Sequence, residues 1–326
     1  MKIKQLVKIK NYKKKLFTPG PASLLIENIQ GLEPCFGRGD PNYTKIENFV
    51  LNKIKKIAGH NRIVRLQGSA SLALEIAINN FLYGKVLVID TGVYSSRLFK
   101  MSLNSKKLFS YIKNIKIINW RKLSQVTEKF DWIISCVTET STGVKLPILD
   151  LWKLKKKCNS KLLLDSTASI GLESYNELSD VSAFSSCKGL FGLTGASFIT
   201  YNNHAKNFIN SFYLSLDNHI NKLMTGPYHI IQSLYYVMKN YSDFKYAVIE
   251  NKKAFLKKYK DLSPYPSQNQ PNLCTYITKK VTPTNNKVVL YQPRSKLNGT
   301  IICHLGEVHL KRDAKSKILN NLKLKK

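Results

Sequence analysis

One stretch of this chain is almost stripped of basic side chains, in a sequence where about one residue in six is Lys or Arg. With 52 Lys and Arg among 326 residues, the 44 positions from Leu162 to Ala205 should hold about seven of them, and they hold one, Lys188. Long cationic side chains stay out of packed interiors unless paired. That single lysine sits just after the apolar run Val181 to Phe184. An amine in apolar surroundings loses hydration, which lowers its pKa and makes it a usable nucleophile, able to form a Schiff base with a carbonyl. An exposed loop lysine fits the same spacing, so its neighbours must decide.

Upstream, Lys161-Leu162-Leu163-Leu164-Asp165 reads as a short buried strand ending in a carboxylate. In open α/β sheets, ligands bind beyond the carboxyl ends of strands. An acid placed there can keep a pyridine nitrogen protonated so that the ring draws electrons; it can equally cap the next segment, Ser166 to Ser169. Further upstream, Gln67-Gly68-Ser69-Ala70-Ser71 precedes the apolar-periodic Leu72 to Ile78. Free N–H groups at a helix start, with serine hydroxyls, make a phosphate cradle; a plain serine-capped helix gives the same pattern. No lysine follows the turn, so it is not the GxxxxGK[ST] nucleotide loop.

Cradle, strand with Asp, then isolated Lys is the linear order of fold-type I pyridoxal-phosphate enzymes. At these residues the chain resembles the class V aminotransferases, and within them the branch that works on 2-aminoethylphosphonate and pyruvate. The matching segments are Phe17-Thr18-Pro19-Gly20-Pro21, Gln67-Gly68-Ser69, Lys85 to Asp90, Glu139-Thr140-Ser141-Thr142-Gly143, Leu164-Asp165-Ser166, Ser186-Cys187-Lys188-Gly189 and Thr225-Gly226-Pro227-Tyr228-His229. They run collinearly from about residue 16 to 240.

The resemblance implies pyridoxal 5'-phosphate as cofactor, with Lys188 as its amine anchor and proton carrier and Asp165 as the partner of its ring nitrogen. Ser69, Ala70 and Ser71 would lie at the phosphate, Tyr94 would stack on the ring, and Thr140 would reach the phenolic oxygen. Thr225 would reach the phosphate of a partner subunit, which implies a homodimer with shared sites. The implied reaction moves an amino group from a small primary amine, 2-aminoethylphosphonate or one like it, to a 2-oxo acid such as pyruvate. Lyase or decarboxylase chemistry can use the same Lys and Asp, and a basic, non-catalytic binding protein that kept the fold is a further alternative.

Three positions depart from the family pattern. Cys187 stands where relatives often carry Asn or Gln. Ile301, in Thr300-Ile301-Ile302-Cys303-His304-Leu305-Gly306-Glu307, stands where they carry an arginine that forks onto the keto-acid carboxylate, and isoleucine cannot make that contact. The C-terminal unit also reads as shorter than theirs. Arg38, between Gly37 and Gly39, and Arg294 are the candidate replacements for the missing arginine.

The net charge of +32 invites a nucleic-acid or acidic-membrane reading. The lysines are spread along the chain, however, with no zinc-finger or RNP-type motif. The clusters Lys2 to Lys15 and Lys311 to Lys326 lie at the termini, so nucleic acid is not expected as a partner. Six cysteines form no CxxC pair and read as reduced thiols of a cytoplasmic protein. The histidines show no metal-site spacing. The first sixteen residues have lysines but no apolar core, so they do not read as a secretory signal, and no apolar run approaches membrane-spanning length.

The expected organisation is a basic arm or strand over 1–16, a large cofactor-binding domain over 17–262 and a small α+β domain over 263–326. A helix is predicted from Tyr43 to Ile57, stopped by Gly59, and another from the cradle to about Leu82. Strand-like runs at 86–90, 112–119, 131–137, 161–165, 181–185 and 196–201 alternate with helical patterns such as 148–158. That alternation predicts an α/β/α domain with a largely parallel sheet. Residues 205–262 read as helices. Beyond the prolines at 264, 266 and 271, strands are expected near 273–279, 286–291 and 299–304, followed by a basic helix.

Overall fold

The computed structural model describes residues 1–35, 37–310 and 317–325. It opens with helix α1 (Ile3–Lys13) and the short strand β1 (Lys15–Phe17), where a basic strand or arm was expected. Val7 is the residue of α1 that is buried, so no apolar stripe marks it as a helix. Tertiary bonds fix it instead: Asn11 Nδ2 donates to the carbonyls of Leu24 at 2.9 Å and His309 at 3.2 Å.

After α2 (Ile26–Gln30) comes α3 (Pro41–Ala58). Asp40 caps α3, accepting from the N–H groups of Asn42 and Tyr43, and Pro41 supplies a preset first turn. Gly59 ends it at φ 70°, as the sequence predicts. Tyr43, Glu47, Val50, Ile54 and Ala58 form its buried face at helical spacing.

The central layer follows: β2 (Arg62–Gln67), α4 (Ala70–Phe81), β3 (Gly84–Asp90), α5 (Val93–Phe109), β4 (Ile112–Asn119) and β5 (Trp132–Cys136). Next come the hairpin β6 (Thr138–Glu139) and β7 (Val144–Lys145), then α6 (Ile148–Cys158), β8 (Lys161–Asp165), β9 (Val181–Ser185) and β10 (Ala196–Tyr201). Seven strands make one sheet in the order β2-β10-β9-β8-β5-β3-β4. β10 runs antiparallel to both neighbours and every other pairing is parallel. Alternate side chains face opposite layers: Val86, Val88, Ile134 and Leu163 pack with α4, whereas Leu87, Ile89, Ile133 and Leu162 pack with α6. Strands β5, β9 and β10 are buried throughout. A sheet covered on both faces reads as continuous apolar runs, and this accounts for the scarcity of basic residues between 162 and 205.

Helices α7 (Leu216–Ile220), α8 (Tyr228–Lys239) and α9 (Tyr241–Tyr259) follow. The expectation of helix from residue 205 is corrected here: 202–215 is irregular, tied down by Asn207 Nδ2 donating to the carbonyls of Asn79 and Leu82.

The last unit holds β11 (Cys274–Ile277), β12 (Val281–Pro283), β13 (Val288–Leu290), β14 (Thr300–Cys303), α10 (Leu305–His309) and β15 (Leu322–Leu324). β11 pairs with β14 and β12 with β15, both antiparallel, and β13 pairs in parallel with β1. Phe17 therefore shares a core with Phe255, Ile277, Val288, Ile302 and Leu322. The basic helix expected after residue 304 is corrected in part. Residues 318–320 form a 3-10 turn and 322–324 a strand, because Leu322 turns into that core; residues 311–316 lie outside the described residues. No helix among the described residues is long and apolar enough to cross a membrane.

Candidate active site

The parallel strands deliver their carboxyl ends to one edge of the sheet, where the predicted residues gather. β8 ends in Asp165, 6 % exposed, whose Oδ1 accepts the Thr167 N–H at 2.9 Å. Burial pushes this carboxyl up from its ordinary range, while the Thr167 bonds and the charges of Lys188 and Arg97 pull it down. β9 leads through Ser186 and Cys187 to Lys188. The turn is closed by Phe191 N–H on Lys188 O at 2.9 Å and Gly192 N–H on Ser186 O at 2.8 Å, and the Tyr241 hydroxyl pins Gly189 O at 3.0 Å. Lys188 Nζ lies 5.6 Å from the centre of the Tyr94 ring.

β3 leads through Thr91 and Gly92 into α5, placing Tyr94 in its first turn. Glu139, fully buried, holds that helix start: Oε2 accepts Tyr94 N–H at 2.9 Å and Ser95 N–H at 3.1 Å, and Oε1 accepts Ser141 N–H at 3.2 Å. Burial raises the Glu139 carboxyl above its ordinary range, and the Ser141 hydroxyl with these backbone bonds pulls it back only in part. Gly20 closes the site from the N-terminal side. It has φ 118°, and a Cβ there would sit 2.1 Å from Cys187 O and 2.9 Å from Lys188 Cγ, so the loop backbone packs directly on the lysine.

At the start of α4, Ser69 occupies the capping position, its carbonyl accepting from Leu72 N–H at 3.0 Å while its side chain makes no cap bond, and the first turn, Ala70 and Ser71, leaves N–H groups without intrahelical partners. Thr140 is 1 % exposed, and its Oγ1 makes no hydrogen bond of ordinary geometry among the described residues, although the Tyr291 phenol lies within reach of it.

Two residues here escaped sequence reasoning. Arg97, one turn beyond Tyr94, donates from Nη1 to Ser71 Oγ at 3.2 Å and stacks 5.2 Å from the Tyr94 ring centre. Its signal was the i, i+3 spacing from Tyr94, readable only once the start of α5 is known. Tyr291, just past β13, brings its phenol beside Thr140 and Tyr94. Burial pushes that phenol up, Thr140 pulls it down and Tyr94 pushes it further up.

The far wall comes from β5, β11 and β14. Burial raises the thiols of Cys136, Cys274 and Cys303, and the Lys188 charge pulls against it in each. Ile301, paired with Tyr276 and 1 % exposed, packs with Cys274 and Cys303. The position that carries a cation in the family pattern is therefore part of an apolar wall. Neither candidate replacement is drawn to Lys188: Arg294 is exposed, and Arg38, also exposed, donates to Lys222 O at 3.2 Å. Thr225 is exposed on the same side as Arg38, next to Gly226, which packs against Arg65. All six cysteines are free, with Cys35 and Cys187 half-buried and the others buried.

The fold and this edge of the sheet define the class: the chain has the fold of the pyridoxal-phosphate aminotransferases. It superposes on an alanine–glyoxylate aminotransferase from Nostoc sp. with a TM-score of 0.77 at 15% identity, covering 94% of each chain. Against a pyridoxamine–pyruvate aminotransferase from Mesorhizobium loti the TM-score is 0.75 at 18% identity, covering 94% of this chain and 90% of that one. Within that class the sequence is similar to proteins named 2-aminoethylphosphonate–pyruvate transaminase. It is 25% identical to that of Pseudomonas aeruginosa over 252 residues, 70% of this chain and 68% of the relative. It is 24% identical to that of Pseudomonas putida over the same shares. No protein-family model matches the chain.

Proposed function

We propose that this chain is a pyridoxal-phosphate-dependent aminotransferase, taking its amino group from a small primary amine of the 2-aminoethylphosphonate kind and giving it to a 2-oxo acid such as pyruvate. The observation that carries the reading is the convergence of Asp165, Lys188, Tyr94 and the start of α4 at one sheet edge. The relatives' names supply the substrate pair.

The residues fit the cofactor. Asp165 is a buried carboxylate with no ion pair within bonding distance among the described residues, and Thr140 Oγ1 is a buried hydroxyl with only the Tyr291 phenol beside it and no bond of ordinary geometry. Both costs of burial fall when a ligand supplies the missing partners. Pyridoxal phosphate, when bound, supplies a ring that withdraws electrons from the substrate carbon. Asp165 would hold the ring nitrogen's proton, Tyr94 would cover one ring face, and Ser69, Ala70 and Ser71 would receive the phosphate. Lys188 would anchor the cofactor by its amine and, once displaced by substrate, take up and return the substrate proton. Glu139 positions Tyr94 by fixing the first turn of α5. Exposed Thr225 fits a residue that serves a partner's site, and on this reading the protein works as a cytoplasmic homodimer.

Borohydride reduction of the cofactor-loaded protein, followed by peptide mapping, tests the anchor: the label should fall on Lys188, and Lys188→Ala should lose both label and near-visible absorbance. Adding candidate amines while following conversion of the cofactor to its amine form then identifies the donor. A label on another lysine, or no donor among small primary amines, refutes the reading.

A further inference from the structure

The phosphate cradle read from the sequence contains no cation between Gln67 and Ser71. A helix end carries about half a positive charge and serine hydroxyls are neutral, whereas a phosphate monoester brings up to two negative charges at pH 7. The fold supplies a full charge from elsewhere. Arg97 reaches across from α5 to Ser71 Oγ at 3.2 Å, and it is the basic side chain that bonds to the 69–71 turn among the described residues. One of its five N–H groups is spent on that bond. The Tyr94 ring lies beside the guanidinium, its centre 5.2 Å from Arg97 Cζ, and Arg97 is itself only half-buried.

We propose that Arg97 is the cation of the phosphate subsite, recognising the cofactor's phosphate group together with Ser71 and the start of α4. This rests on the proposed function and adds to it a residue that couples the phosphate to Tyr94, since one guanidinium touches both. Arginine suits the task because its planar fork can hold an anion's oxygen and a serine hydroxyl at once.

The test separates phosphate recognition from packing. Purified protein stripped of cofactor is titrated with pyridoxal phosphate and, separately, with pyridoxal, which has the same ring and aldehyde but no phosphate. Near-visible absorbance reports each. Arg97→Gln should weaken pyridoxal phosphate binding by about ten- to a hundredfold, the size of a charged hydrogen bond, and leave pyridoxal binding within about twofold. Arg97→Lys, which keeps the charge and loses the fork, should recover part of the loss. Equal losses for both compounds in both variants would mean that Arg97 only packs behind Tyr94, and the inference falls. Wild-type protein that takes up neither compound overturns the function proposed above, and this inference with it.

Discussion

Replacing Asp165 with Asn should make the empty protein more stable and the cofactor-loaded protein weaker. Asn keeps the shape and an oxygen for the Thr167 N–H, now 2.9 Å from Oδ1, so the local turn survives and only the charge goes. In the free chain that charge is a burden. Burial raises the Asp165 carboxyl above its ordinary range, so above that raised pKa the ionised form costs the folded state more than the unfolded one. The amide removes this cost, and the gain should grow with rising pH and vanish in acid, where the carboxyl is neutral in both states. In the complex the same charge holds the ring nitrogen's proton. One charged hydrogen bond contributes about 1.5–3 kcal/mol, and at 1.4 kcal/mol per tenfold the loss is about ten- to a hundredfold in affinity. Thermal unfolding of stripped protein across pH reads the first effect; absorbance titration with pyridoxal phosphate reads the second. Unchanged affinity in a stabilised variant would reduce Asp165 to a turn residue. A destabilised empty variant would refute the burial argument itself.

Gly20→Ala should disturb Lys188, because the new Cβ meets Cys187 O at 2.1 Å on a backbone of φ 118°. Strain of that kind costs about 1–3 kcal/mol, read as a lower Tm together with weaker cofactor uptake. Glu307, pushed by burial from 4.5 up to about 7, holds its proton in the folded chain where the unfolded chain has released it. Stability should therefore fall as pH rises from about 4.5 to 7, and Glu307→Gln, which keeps an acceptor for Ile318 N–H, should flatten that slope in a Tm-versus-pH series. Pyruvate should be a weak acceptor, its KM raised about tenfold by the missing charged contact at Ile301. Arg294→Ala and Arg38→Ala should leave that KM unchanged, because one side chain is exposed and the other is held on Lys222 O. A low-micromolar wild-type KM would show that another group has taken over.

The sheet was legible where burial is two-sided, since β9, β10 and the buried part of β8, Leu162 to Asp165, exclude long cations and their sequences say so. β2 was not. Arg62 and Arg65 interrupt its apolar run, and Arg65 is tolerated inside only because Glu47 of α3 pairs with it, a partner no local window contains. The gathering of Lys188, Asp165 and Tyr94 at one sheet edge could be read because each lies at or just past a strand end with a marked sequence context. Tyr291 could not, since the loop after β13 has no periodicity and its place beside Thr140 depends on how the last unit docks. Helix α1 was hidden for the opposite reason: lysines surround it, and Asn11 rather than an apolar face decides its position.

The pairing of β1 with β13, and of Asn11 with His309 across 298 positions of chain, sets an order of events during synthesis. The ribosome makes Lys15–Phe17 long before Val288–Leu290, so that strand has no partner while every strand of the central sheet is being made. Until then Phe17 and an unpaired strand edge are open to wrong neighbours, the situation in which growing chains aggregate or need a chaperone. The central sheet can form while translation continues. The unit beside Lys188 waits for a strand made long after β1, so the site is completed only after the central sheet has its strands.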